Sequence, residues 1–172
     1  MGSSKFILQV VSFFAYVLLQ SMMLQNVVLF DSAFCFLYVA FVLLLPVDMS
    51  VIALMVIGFV TGFTVDIFYN SIGIHASACV FIMFIRNYWL NLITPQGGYD
   101  SGATPSIELN GGQWFFGYAI PLVFIHHLIL FFVEAFGFGL FGFTLWKALL
   151  STIFTMVVIL IVQFLFYKRK RS

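Results

Sequence analysis

Three residues in the middle of the sequence are spaced so that they could form a packing or contact surface. Gly58, Gly62 and Asp66 are four residues apart, so on a helix they share one face. The Gly58-x-x-x-Gly62 pattern allows two helix backbones to approach closely in an apolar environment. Asp66 lies near the end of that face, where it is either a carboxylate capped close to a membrane interface or a contact for a partner or ligand.

A histidine follows after a short turn. Gly73 and His75 open a segment of small side chains that continues to Cys79. This composition predicts a tight helical hairpin, in which His75 could form a hydrogen bond with Asp66 across the turn. A metal ion would need more ligands than this pair, so no metal site is predicted.

Arg86 lies eleven residues beyond His75, close to three full helical turns, and therefore faces the same way. Two interpretations are open for a cation at this depth. Its side chain could extend to the cytoplasmic interface, next to the aromatic residues Tyr88 and Trp89. Alternatively, Arg86 forms an ion pair inside the bundle.

The last polar cluster consists of His126, His127 and Glu134. His127 and Glu134 are seven residues apart and share a helix face, which indicates the bundle interior and interhelical hydrogen bonds. A proton relay is the alternative. No nucleotide-binding, zinc-hydrolase or nucleophile motif is present, so neither catalysis nor a cofactor is predicted. Cys35 and Cys79 lie in apolar runs and are interpreted as small buried hydrophobes.

The elements that position these residues follow from composition. Hydrophobic residues make up 63% of the sequence and charged residues 8%, against roughly 25% charged residues in soluble domains. This composition predicts an integral membrane protein. The net charge of +1 and the absence of a basic stripe argue against nucleic acid as a partner.

The sequence predicts an all-α polytopic fold with six transmembrane helices in a single domain, residues 1–172. About 20 apolar residues cross the hydrocarbon core. The predicted helices are 6–24, 33–45, 51–68, 72–93, 113–136 and 143–167. The first is interpreted as a retained helix, because no signal-peptidase site follows it. The second stops at Pro46, and Pro121 could kink the fifth.

Basic residues predict the orientation. Cytoplasmic flanks are enriched in Lys and Arg. With six crossings, Lys5, the glycine- and proline-rich loop 94–112 and the basic tail 168–172 lie on one side, which we expect to be the cytoplasm. Both termini are then cytoplasmic.

These segments together resemble the rod shape-determining membrane protein family MreD. The likeness is greatest over residues 62–76, where Gly62, Asp66, Gly73 and His75 match a recurrent pattern of a glycine, an acidic residue and a short polar turn before small residues. The Thr94–Tyr99 connection and the His126-His127 pair followed by Glu134 are similar to a variant with an enlarged loop.

The resemblance implies a non-catalytic scaffold in the bacterial inner membrane. Proteins of this family associate with MreC, a single-pass membrane protein, and through it with MreB and the RodA glycosyltransferase with its transpeptidase partner. The complex directs lateral peptidoglycan synthesis and rod shape. The resemblance also implies a fold similar to the S component of energy-coupling vitamin transporters, with a central cavity. A homo-oligomer within the complex is left open.

Two other functions remain open. A solute-binding subunit of the vitamin-carrier type could line a pocket with polar residues of several helices, namely Asp66, His75, Arg86, His127 and Glu134. An intramembrane enzyme has only the His126-His127 pair and Glu134 in its favour. For the scaffold, we expect a partner helix to contact helices 3 and 4 through Gly58, Gly62, Asp66, Gly73 and His75.

Overall fold

The chain forms long helices joined by short connections, with one irregular segment after the first helix. The structure is a computed structural model and describes residues 3–165, so the predicted basic tail 168–172 lies outside the described residues. In chain order the elements are α1 (Ser3–Leu19), a π-helical turn (Gln20–Leu24), β1 (Val28–Leu29), β2 (Ala33–Phe34), α2 (Val39–Leu43), α3 (Val51–Tyr69), α4 (Ile74–Leu92), α5 (Ile107–Glu134) and α6 (Phe141–Leu165).

Four helices in the described part of the chain are long and apolar enough to cross a membrane. They are Phe6–Leu24, Val51–Tyr69, Gly111–Glu134 and Phe141–Leu165. Length and composition therefore indicate a mostly helical, multi-pass membrane protein. α4 is as long as α3, at 19 residues, but is less apolar, because it carries side chains such as His75, Arg86 and Asn87.

The prediction of a continuous helix over 33–45 is wrong. β1 and β2 instead form a short antiparallel hairpin, with Val28 opposite Phe34 and Leu29 opposite Ala33. A helix forms only at α2, which is five residues long. The apolar run suits a helix and a buried extended segment equally well, so hydrophobicity alone could not distinguish them.

Residues 33–46, here called the buried segment, lie at the centre of the bundle. Every side chain from Cys35 to Leu43 is buried. An element that is hydrophobic on all sides is either surrounded by other elements or faces lipid, and the burial of these side chains shows that the protein surrounds them. The buried segment is therefore the core around which the long helices pack.

α3 and α4 form a close helical hairpin, as the small residues predict. A Cβ atom added at Gly62 would lie 2.5 Å from both the Cα of Ala76 and the carbonyl oxygen of His75. One added at Gly58 would lie 2.9 Å from the Cγ of Met83. Both glycines thus face α4 of the same chain, and the expectation that they form a docking surface for a partner is corrected on this ground.

The connection before α5 is shorter than the predicted loop 94–112. α5 begins at Ile107, whose N–H donates to the side-chain oxygen of Gln163 (3.1 Å). The helix is interrupted at Gly111, where φ is 80°, a value that glycine adopts without strain. Pro121 stays inside the helix.

Side-chain contacts fix the loop itself. The Asp48 carboxylate accepts hydrogen bonds from the N–H of Gly102 (3.0 Å) and the hydroxyl of Ser101 (3.2 Å). The Tyr99 hydroxyl donates to the carbonyl of Leu90 (2.9 Å), and partial burial raises the pKa of this phenol above its ordinary value. The loop is therefore held against the ends of the helices.

We expect Gly62→Ala to destabilise the protein by about 1–3 kcal/mol, because the added methyl group meets backbone atoms that cannot rotate away. Thermal unfolding of the purified protein in detergent measures the change. Gly117→Ala is the matched control: it lies in α5 with no atom within 4 Å of an added Cβ, so it should be neutral or stabilising. Equal melting temperatures for the two variants would contradict the close α3–α4 contact.

Candidate functional site

Hydroxyl groups of α6 bond to the extended part of the buried segment. The N–H of Phe34 donates to the Ser151 hydroxyl (2.9 Å), and the N–H of Phe36 donates to the Thr155 hydroxyl (3.0 Å). Thr155 also lies 3.1 Å from Nε2 of His127. These side chains replace the bonds that a helix would have supplied, because an unpaired N–H in lipid costs several kcal/mol.

Arg86 bonds to the other end of the buried segment. Its guanidinium donates to the carbonyl oxygens of Leu43, Leu45 and Pro46, and its Nε donates to the Tyr118 hydroxyl (2.7 Å). Tyr118 donates in turn to Leu43 (2.7 Å). The last carbonyl groups of a helix have no hydrogen-bond donor within the helix, and here Arg86 and Tyr118 are the donors.

Both sequence interpretations of Arg86 are therefore corrected. Its side chain is fully buried, so it does not extend to the interface. It also forms no ion pair with a carboxylate among residues 3–165. Carbonyl dipoles and one hydroxyl surround the charge, a pattern that sequence could not reveal because the carbonyls come from residues about 40 positions away.

Two further polar side chains bond between helices. Gln20, in the π-helical turn, donates to the carbonyl of Cys35 (2.9 Å) and to the Tyr69 hydroxyl (2.6 Å). His126 lies with Nε2 2.8 Å from the Tyr38 hydroxyl. The predicted interhelical hydrogen bond is confirmed for His127, which contacts Thr155 of α6, whereas His126 contacts Tyr38 in the buried segment. No pattern in the sequence selects Gln20.

Asp66 caps the start of α4 from the end of α3. One carboxylate oxygen accepts from the N–H of His75 (3.0 Å), from its Nδ1 (2.9 Å) and from the Ser71 hydroxyl (2.8 Å); the other accepts from the N–H of Ala76 (3.0 Å). The residue preceding α4 is Gly73, which has no side chain for this purpose. The predicted Asp66–His75 hydrogen bond is confirmed.

The prediction that Glu134 lies in the bundle interior is wrong. It ends α5 with its side chain 52% exposed, and its carboxylate accepts from the ammonium of Lys147 at 2.9 Å. The Lys147 nitrogen also lies 4.5 Å and 4.2 Å from the ring centres of Phe34 and Phe131. Sequence analysis did not select Lys147; its only signal was its isolation from the other basic residues.

A pocket of about 250 Å³ opens beside Glu134 and Lys147, at the end of the bundle where α3 turns into α4. Its walls come from the hairpin region, the α3–α4 turn and the ends of α5 and α6. The lining includes Gln25, Asn26, Phe34, Phe36, Tyr69, Ser71, His75, Phe131, Glu134 and Lys147. Of the predicted polar set, the pocket brings together His75 and Glu134 alone; Asp66, Arg86 and His127 do not line it.

Over the described residues, no group of three His, Cys, Asp or Glu side chains is arranged to hold a metal ion. No family model, no curated protein and no solved structure matches this chain. The fold and the site define the class, a multi-pass helical membrane protein with an internal polar network.

We expect Arg86→Met to destabilise the protein by roughly 3 kcal/mol, because several buried carbonyls lose a charged donor. Arg86→Lys keeps the charge but cannot reach all of these acceptors at once, so its loss should be intermediate. Chemical unfolding of the detergent-solubilised variants gives both values. Wild-type stability in Arg86→Met would rule out the proposed role of Arg86 in holding the buried segment.

Proposed function

We propose that this protein is a non-catalytic scaffold subunit of the bacterial cell-elongation machinery, similar to MreD. In this proposal it lies in the inner membrane, crosses it six times with both termini in the cytoplasm, and binds MreC. The buried segment and α4 supply the two crossings beyond the four apolar helices. A fold similar to the vitamin-transporter S component is part of the same proposal.

The hydrogen bonds of the interior polar side chains support a scaffold function. Asp66 bonds to the start of α4, Arg86 to the end of α2, and His127 to the backbone of α5 through a contact of 2.6 Å with Val123. Each of these groups stabilises the chain's own fold. None of the three lines the pocket.

One observation carries the proposal, namely that α1 is only thinly covered. Of the span Phe6–Leu24, 11% is buried. An apolar groove of about 230 Å³ separates α1 from α3, and a larger one of about 570 Å³ separates α1 from α6. In lipid, helices associate by close packing, so a helix with open grooves on both sides offers room for another transmembrane helix.

The groove between α1 and α3 is the docking site we propose for the transmembrane helix of MreC. Phe13, Phe41, Val56 and Val60 line it, with few polar atoms. It replaces the α3–α4 face expected from the sequence, which α4 itself occupies. The outer face of α3 continues the groove, with Val56 57% and Val60 49% exposed.

Affinity purification of the tagged full chain from native membranes tests this function. We expect MreC to be recovered with the wild-type protein, and Val60→Trp to lower that recovery severalfold, because the indole ring fills the groove. Ile153→Trp is the matched control: Ile153 is 62% exposed on α6 and does not line the groove, so recovery should be unchanged.

Two results would contradict the function and the docking site respectively. Absence of MreC from the purified material, with the bait intact, argues against the scaffold function. Recovery of MreC at equal levels with both tryptophan variants keeps the function but rejects the α1–α3 groove as the docking site.

The pocket favours a second candidate, a solute-binding subunit of the vitamin-carrier type. It combines aromatic walls with a few polar groups, which is the usual composition of a small-molecule site. A thermal-shift screen of the purified protein against small vitamins tests this function. Specific, saturable stabilisation by one compound is the expected result, and an unchanged melting temperature across the screen would exclude it.

A further inference from the structure

The pocket at the start of α4 places one cation and one anion side by side. The Lys147 ammonium and the Glu134 carboxylate are 2.9 Å apart, and both residues line the pocket. The Lys147 side chain is 17% exposed and that of Glu134 is 52% exposed. The cation is thus mostly removed from water, whereas the anion can turn toward solvent.

Aromatic rings surround this charge pair. The Lys147 nitrogen lies over both Phe34 and Phe131, at 4.5 Å and 4.2 Å from the ring centres. An ammonium group is attracted to the face of an aromatic ring. The pocket therefore stabilises a positive charge at a fixed place, next to flat apolar surfaces.

A ligand that carries only a negative or only a positive charge fits this arrangement poorly. A simple carboxylate would pair with Lys147 and repel Glu134, and a simple amine would do the reverse. Lys147 is mostly shielded from water, so leaving it without an opposite charge is unfavourable, and a negative charge held beside Glu134 is repelled even though Glu134 is half exposed. A zwitterion satisfies both, with its carboxylate on Lys147 and its ammonium on Glu134, while the pocket stays electrically balanced.

Size and the remaining polar groups define the body of the ligand. The volume of about 250 Å³ is below the roughly 300–1,000 Å³ of drug-sized sites, so the ligand is small. Phe36 and Tyr69 add further aromatic surface. His75 lines the pocket, with Nδ1 in contact with Asp66; its Nε2 is buried and has no hydrogen-bond partner within residues 3–165. A donor on the ligand would satisfy it.

We propose that this pocket binds a small amino-acid zwitterion with a flat aromatic side chain that carries an O–H or N–H donor. The proposal rests on the second candidate function, solute binding, and names the ligand class of that site. It is independent of the MreC contact, because the pocket and the α1–α3 groove share no lining residue.

Equilibrium binding of radiolabelled L-tyrosine to the full chain in nanodiscs tests the proposal. We expect saturable binding, with competition by unlabelled L-tyrosine at least about tenfold stronger than by tyramine, which lacks the carboxylate, or by hydroxyphenylpropionate, which lacks the ammonium. L-phenylalanine, without the hydroxyl donor, should compete more weakly than L-tyrosine.

Glu134→Gln and Lys147→Met should each weaken L-tyrosine binding by about tenfold or more, since each removes one charge of the pair. Asp48→Asn is the control; it lies in an exposed loop outside the pocket and should bind as the wild type does. Glu134 is half exposed, so Glu134→Gln keeps the test valid even if Lys147→Met does not fold.

The proposal is overturned if L-tyrosine does not bind saturably, if hydroxyphenylpropionate or tyramine competes equally well, or if Glu134→Gln binds as the wild type does. The thermal-shift screen tests the solute-binding function separately. Stabilisation by a vitamin that lacks an amino-acid zwitterion, without L-tyrosine binding, would reject the ligand class and keep the function.

Discussion

The hydrogen bonds of the buried segment are the constraint on which the rest of the structure depends. Backbone N–H and C=O groups in lipid need partners within the protein, and most chains meet this need with continuous helices. Residues 33–46 form a helix over only five residues, so other elements supply the missing partners. Gln20, Ser151 and Thr155 bond to the extended part, and Arg86 with Tyr118 bonds to the end of α2. These five interior polar side chains therefore hold the buried segment in place.

Local features of the fold could be predicted from the sequence. The glycines at 58 and 62, followed by a short turn and small side chains, indicated the α3–α4 hairpin, and Asp66 and His75 were close enough in sequence for their contact to be inferred. Residues 51–68 and 72–93 are near the observed bounds of both helices. In each case the interacting residues are near neighbours along the chain.

Features that depend on distant residues could not be predicted. The run from Ala33 to Leu45 is apolar throughout, and its extended start is held in part by hydroxyls of α6 that lie more than 100 positions away in the sequence. The environment of Arg86 depends in the same way on carbonyls of the buried segment. Lys147 gained its importance from Glu134 and two phenylalanine rings that fold against it. Such contacts cannot be inferred from the sequence of one helix at a time.

These contacts separate the parts of the molecule that hold the fold from those left free to bind. Arg86, Ser151 and Thr155 bond to the backbone of the buried segment, whereas the pocket beside Lys147 and the grooves beside α1 are open. Solid-state NMR of the uniformly labelled protein in bilayers tests the central claim most directly, through the backbone chemical shifts of residues 33–46. The account predicts extended shifts at Ala33 and Phe34 and helical shifts that begin near Tyr38 and end at Leu43. Helical shifts running without interruption from 33 to 45 would contradict it.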